Sequence, residues 1–151
     1  MFLRNAGHKE IVLKEFEDGF FPHIGADIKH FFEELKARVT PDLILTHYRR
    51  DLHQDHRLIS ELTWNTFRNH LILEYEIPKY DGDLGAPNFF VHLRADLCRA
   101  KVDYILQSFG SQGGKAWFSE DTFYALLRIR GLESNALERY AEAFYCTKMV
   151  Y

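Results

Sequence analysis

The sequence predicts an α/β domain built on a mostly parallel sheet. Three observations predict it. Short apolar runs at residues 10–16, 41–45, 71–77 and 89–93 alternate with stretches of three- and four-residue apolar periodicity at 24–38, 53–71 and 95–109. That alternation marks strands feeding helices. The chain has 151 residues, 46% of them hydrophobic and 15% aromatic, which is one domain's length with enough apolar material for a core. The densest group of ionisable side chains, residues 46–56, lies between an apolar run and the start of a helical one. In open α/β sheets that edge is where ligands bind.

Taken in order, Met1 to Leu3 read as the frayed end of a helix closed by Asn5 and Gly7, the residues that accept left-handed backbone. Residues 10–16 read as a strand, with Ile11 and Val12 near its start, and Asp18-Gly19 as the turn after it. Asp18 serves that turn or stands on the rim of the site. Ile24, Ile28, Phe31, Phe32 and Leu35 form the apolar stripe of a helix over 24–38, with Lys36 and Arg38 suiting its last turn. A strand at 43–46 follows, predicted to run parallel to the first. The next helix spans roughly 53–71 and buries Ile59, Leu62 and Phe67.

Residues 71–77 alternate as a strand that ends at Pro78. Asp81-Gly82-Asp83-Leu84-Gly85 lacks the spacing of a calcium loop and reads as a mobile lip over the pocket. Residues 89–93 form another short strand, and 95–109 a helix. Ser111-Gln112-Gly113-Gly114-Lys115 follows no strand and so is not a phosphate loop. Ser119 caps a further helix whose first turn holds Glu120 and Asp121 and which runs to Arg130-Gly131. Residues 141–150 close the chain as a strand.

Composition excludes several classes. A formal net charge of −3 with scattered basic residues leaves no nucleic-acid footprint. No apolar run approaches membrane-spanning length, and the first residues are too short and polar for a signal peptide. Cys98 and Cys146 stand far apart in no metal-binding pattern, as small core residues of a reducing, cytoplasmic compartment.

The chemistry concentrates in His47, Asp51, His53, Asp55 and His56. With a helix starting near Asp51 or Leu52, His53 and His56 share one face. Two imidazoles there can ligate a metal, or one can ligate while the other handles protons. Asp55 is close enough to orient a ring. Arg49, Arg50 and Asp51 are candidate substrate contacts. The plainer alternative is a solvated helix start with an aspartate cap.

Pro41-Asp42-Leu43-Ile44-Leu45-Thr46-His47, followed by Asp51-Leu52-His53-Gln54-Asp55-His56-Arg57, resembles the second motif of the PIG-L/LmbE-like zinc-dependent N-deacetylases. Further resemblance runs through Glu15 to Phe20, Ala86 to Phe90, Arg128 to Gly131 and Tyr140 to Phe144, in the family's order. The resemblance implies a Rossmann-like three-layer sandwich and a zinc cofactor. It makes His56 a zinc ligand, and His53 a proton-handling or oxyanion-stabilising residue paired with Asp55. It implies a small-molecule partner, an acetylated amino sugar or related glycoconjugate, whose N-acetyl group is hydrolysed.

The family's first motif, His-Pro-Asp-Asp-Glu, is absent: none of Pro22, Pro41, Pro78 and Pro87 follows a histidine. In the family that motif supplies two further zinc ligands and the water-activating aspartate. By resemblance the chain is the later part of such an enzyme, lacking its N-terminal strand-helix-strand portion. It is then expected to expose an apolar sheet edge, to associate with itself as a homo-oligomer, to bind zinc weakly and to lack activity alone. The rival reading is a non-catalytic globular module that keeps the scaffold.

Overall fold

The computed structural model describes residues 9–149. The helix end read at Met1 to Leu3 lies outside them. The described elements are α1 (Gly25–Arg38), β1 (Leu43–His47), α2 (Gln54–Thr66), β2 (Leu71–Tyr75), β3 (Phe89–Leu93), α3 (Ala95–Ser108), α4 (Glu120–Glu133) and β4 (Tyr140–Tyr145), with a 3-10 turn at Phe21–His23 before α1. The four strands form one sheet in the order β1-β2-β4-β3. The fold is mixed α/β, and none of its described helices is long and apolar enough to cross a membrane.

Two expectations about the strands need correction. The sheet is only partly parallel: β1 runs parallel to β2, from Leu43 beside Leu71 to His47 beside Tyr75, but β2 pairs antiparallel with β4. Apolar alternation records which face of a strand is buried and carries no information on its neighbour's direction. Residues 10–16 form no strand. Residues 9–17 adopt no regular structure, and Leu13 is 84% exposed. Strand propensity is realised only where a backbone ladder and a packed face exist, and this segment has neither.

The chain divides into two compact units. The larger comprises Phe16–Ile77, Asp81–Phe89 and the stretch from Ala143. Here α1 packs on α2 and α2 on β1. Ile72, Leu73 and Glu74 are buried in succession along β2, as in a strand covered on both faces. β1 is an edge strand, with Leu43 45% and Leu45 55% exposed. The loop at 81–88, read as a mobile lip, is anchored. Asp83 accepts the Leu52 N–H at 2.7 Å, the Tyr145 hydroxyl accepts the Gly85 N–H at 2.8 Å, and Asn88 exchanges two hydrogen bonds with the Cys146 backbone. Asp83 and Asn88, polar residues that composition assigns to a mobile loop, are themselves the anchors.

The other unit comprises the segment ending at Glu15, Pro78–Tyr80 and Phe90–Glu142. Cys98 and Val102 of α3 pack with Phe123 and Leu127 of α4, ringed by Ile105, Leu106, Trp117 and Phe118. Ser119 caps α4 as expected, its hydroxyl accepting the Thr122 N–H at 3.3 Å.

Candidate metal centre

β1 ends at His47 and α2 begins at Gln54, so the polar stretch is the strand-to-helix loop plus one helical turn. The loop is folded by its own backbone: the Tyr48 N–H donates to the Tyr75 carbonyl at 3.1 Å, and the Asp51 N–H to the Tyr48 carbonyl at 3.0 Å. Asp51 is 2% exposed. Its Oδ1 accepts the His53 N–H at 2.8 Å and its Oδ2 lies 3.0 Å from His56 Nδ1. Asp51 therefore holds the helix start and one imidazole together.

His53 is the residue before the first helical turn, so the helix begins at Gln54, two positions later than a start at Leu52. Its ring still lies beside that of His56, centroids 4.5 Å apart. His56 in turn stacks face to face on His47 at 4.2 Å, and the Tyr75 hydroxyl approaches His47 Nε2 at 3.4 Å.

Asp55 is also 2% exposed, and its carboxylate reaches the Asp18-Gly19 turn. It accepts the Gly19 N–H at 2.5 Å and the Phe21 N–H at 3.1 Å, while Gln54 Nε2 donates to the Gly19 carbonyl at 3.1 Å. Gly19 has φ +84°, which a side chain would resist. These contacts bring Asp18 to the helix start. One ligand atom each from Asp18, His53 and Asp55 then lies within 4.8 Å of the other two. His53 Nδ1 is buried without a hydrogen-bond partner.

Of the residues singled out from sequence, the structure thus gathers His53 and Asp55 in one donor group and adds Asp18, which the sequence left between turn and rim. His56 is joined to Asp51. Arg50 is exposed. Arg49 lies with its guanidinium 4.4 Å above the Trp64 ring. Its backbone N–H donates to Glu74 Oε2 at 2.7 Å. Glu74 was missed, because a glutamate in an alternating strand reads as solvent-facing.

Burial, and secondly the charge of Asp51, push the Tyr75 phenol up from 10 to about 12. Its neutral form is the one favoured by folding. That stability is fully present below pH 10 and is lost as pH rises through about 12. Two pKa units correspond to roughly 2–3 kcal/mol. Urea unfolding across this window should show Tyr75→Phe losing less stability than wild type; equal losses would contradict the burial of the phenol.

No family model matches the chain, and no curated protein matches it. Its fold is shared by solved structures, among them the following two. The N,N'-diacetylchitobiose deacetylase from Pyrococcus horikoshii, complexed with its inhibitor MPG, superposes with a TM-score of 0.64 at 19% identity, over 95% of this chain and 59% of that one. The conserved protein TT1542 from Thermus thermophilus does so with a TM-score of 0.64 at 19% identity, over 90% of this chain and 65% of its own. The chain spans less than two thirds of either neighbour's length. What it shares with both is a fold.

Proposed function

We propose that this chain is a divalent-metal-dependent N-deacetylase, hydrolysing the acetamide of an amino sugar or related small glycoconjugate, with zinc as its metal. The observation that carries this reading is the donor group of Asp18, His53 and Asp55 beside an imidazole held by a buried carboxylate. The fold shared with a diacetylchitobiose deacetylase supports it. One imidazole and two carboxylates suit zinc, and three protein ligands leave a position for water or substrate. A buried ring nitrogen with no protein partner is the kind of atom a cation satisfies. A cation bound there supplies Lewis acidity and a more acidic water.

The chain's own residues supply position and proton handling. The backbone N–H groups of Gly19 and Phe21 fix the Asp55 carboxylate before any ligand arrives. Asp51 accepts from His56 Nδ1, which leaves Nε2 as the ring's acceptor. In this reading His56 Nε2 takes a proton from the attacking water and returns it to the leaving nitrogen. Arg50, exposed on the same loop, is the candidate contact for sugar hydroxyls; Arg49 and Asp51 already serve Trp64, Glu74 and the histidines.

A second assignment of the same reaction follows the motif resemblance: His56 in the metal shell, His53 with Asp55 handling the proton or oxyanion. The Asp51–His56 hydrogen bond favours it, since metal-ligating imidazoles commonly donate their other nitrogen to a carboxylate.

The test is zinc titration followed by acetate release from N-acetylglucosamine and N,N'-diacetylchitobiose. Saturable binding of one zinc and acetate release abolished by a chelator are expected, because Asp18 and Asp55 offer carboxylates beside His53 that do not depend on the absent first motif. Weak zinc binding with no acetate release would instead favour the reading of a chain inactive alone. Saturable zinc binding without acetate release would overturn the enzymatic reading in favour of a non-catalytic module.

A further inference from the structure

We infer that Glu74 is a positioning residue that sets the β1–α2 loop for the chemistry proposed above, and this inference rests on that reading. Glu74 sits in β2 and is 1% exposed. Its two carboxylate oxygens take two different donors. Oε2 accepts the Arg49 backbone N–H at 2.7 Å, and Oε1 accepts the indole N–H of Trp64 at 2.6 Å. The Arg49 guanidinium closes the group, 4.4 Å from the Trp64 ring centroid and with Nε 3.8 Å from Glu74 Oε1. One side chain thus ties the sheet to the loop and to α2.

A buried acid is costly unless its oxygens are well used. An apolar residue at this point would continue the Leu71-Ile72-Leu73 run but strand both N–H donors. What Glu74 fixes is the first residue pair beyond β1. Asp51 follows two residues later, and Asp51 holds both the His53 N–H and the His56 ring. Movement of Arg49 therefore carries Asp51 and both imidazoles with it. Displacement of a reacting group by about 1 Å costs on the order of 100-fold in rate.

Glu74→Gln keeps the volume but replaces one acceptor oxygen by an NH2 group, so one of the two donors loses its partner. Trp64→Phe removes the indole N–H together with the five-membered ring, leaves the Arg49–Glu74 hydrogen bond in place and keeps a smaller aromatic ring near Arg49. Amide hydrogen exchange and the imidazole NMR signals, both without metal, read the loop directly. For Glu74→Gln, exchange at Arg49, Asp51 and His53 should rise by about 10–100-fold, the equivalent of one charged hydrogen bond. The His56 ring signals should shift, and exchange at Ile72 and Leu73 should not change. In the active protein kcat should fall by about 100-fold with KM unchanged. Trp64→Phe should keep the loop amides near wild type. Should Glu74→Gln not fold, Glu74→Asp, which shortens the arm and keeps the charge, is read the same way. Unchanged loop exchange and ring signals, or an equal rise throughout β1 and β2, would overturn the inference. Absence of zinc binding and acetate release in wild type would sink the proposed function instead, while exchange and ring signals would still decide the role of Glu74.

Discussion

Gly131→Ala is expected to destabilise the protein by about 3 kcal/mol or more, in the upper range of overpacking. Helix propensity argues the other way, since alanine in place of a helical glycine gains roughly 1 kcal/mol. Space decides. A Cβ on Gly131 would stand 2.1 Å from the Arg139 carbonyl oxygen, 2.4 Å from its carbon and 2.6 Å from the Tyr140 nitrogen. All three are backbone atoms, so no side-chain rotation relieves the clash. The segment cannot easily recede either. The Ala136 N–H donates to the Gly131 carbonyl at 2.8 Å, the Arg139 N–H to the Ala136 carbonyl at 2.9 Å, and Arg128 Nη1 to the Arg139 carbonyl at 3.1 Å. Asn135 and Arg139 already hold left-handed backbone, at φ 51° and 68°. For a chain of this size the thermal midpoint should drop by roughly 6–12 °C. Gly110→Ala, where the added atom meets nothing within 4 Å, is the matched control. Urea unfolding of Gly131→Ala within about 0.5 kcal/mol of wild type, the usual range of a neutral surface change, would disprove the close approach.

The helices and strands were legible wherever local pattern and tertiary context agree. The Ile28 stripe of α1, the Ser119 cap of α4 and the short β3 run fall close to where periodicity puts them. Residues 10–16 failed because their β-branched start carries propensity without a partner strand. β4 ended at Tyr145, since the alternation beyond it lies outside the ladder with β2. The site was half legible. His53, Asp55 and His56 declare themselves as chemistry-bearing residues at a helix start. Asp18 joins them only through the hydrogen bonds that Asp55 and Gln54 make to Gly19, a contact between segments far apart in the chain. Glu74 was illegible for the same reason: a buried carboxylate is identified by its donors, which here come from Arg49 and Trp64. From sequence Gly131 reads as the glycine that ends the helix, but α4 continues to Glu133, and only the returning backbone at Arg139 explains the glycine.

His53→Ala should lower zinc affinity by more than about 100-fold, beyond the 10–100-fold that loss of a supporting residue costs. The donor group of Asp18, His53 and Asp55 has a single imidazole, so its removal leaves two carboxylates, one of them tied to Gly19 and Phe21. Asp55 is a poor probe of the metal, because its loss also strands two backbone donors, at about 1–3 kcal/mol each. Asp18 is exposed and anchors nothing comparable, so Asp18→Asn is the second clean probe, expected to weaken zinc while leaving urea stability unchanged. His56→Ala should keep zinc within about tenfold of wild type and lower acetate release by roughly two to four orders of magnitude, the size of an acid–base contribution. Zinc content by elemental analysis, calorimetric titration and acetate release separate the cases. Should His56→Ala empty the site while His53→Ala retains zinc, the metal belongs with His56 and its Asp51 partner, and His53 with Asp55 takes the proton-handling role. Should both variants retain zinc at wild-type affinity, neither imidazole ligates it, and the helix start between β1 and α2 is not the metal centre.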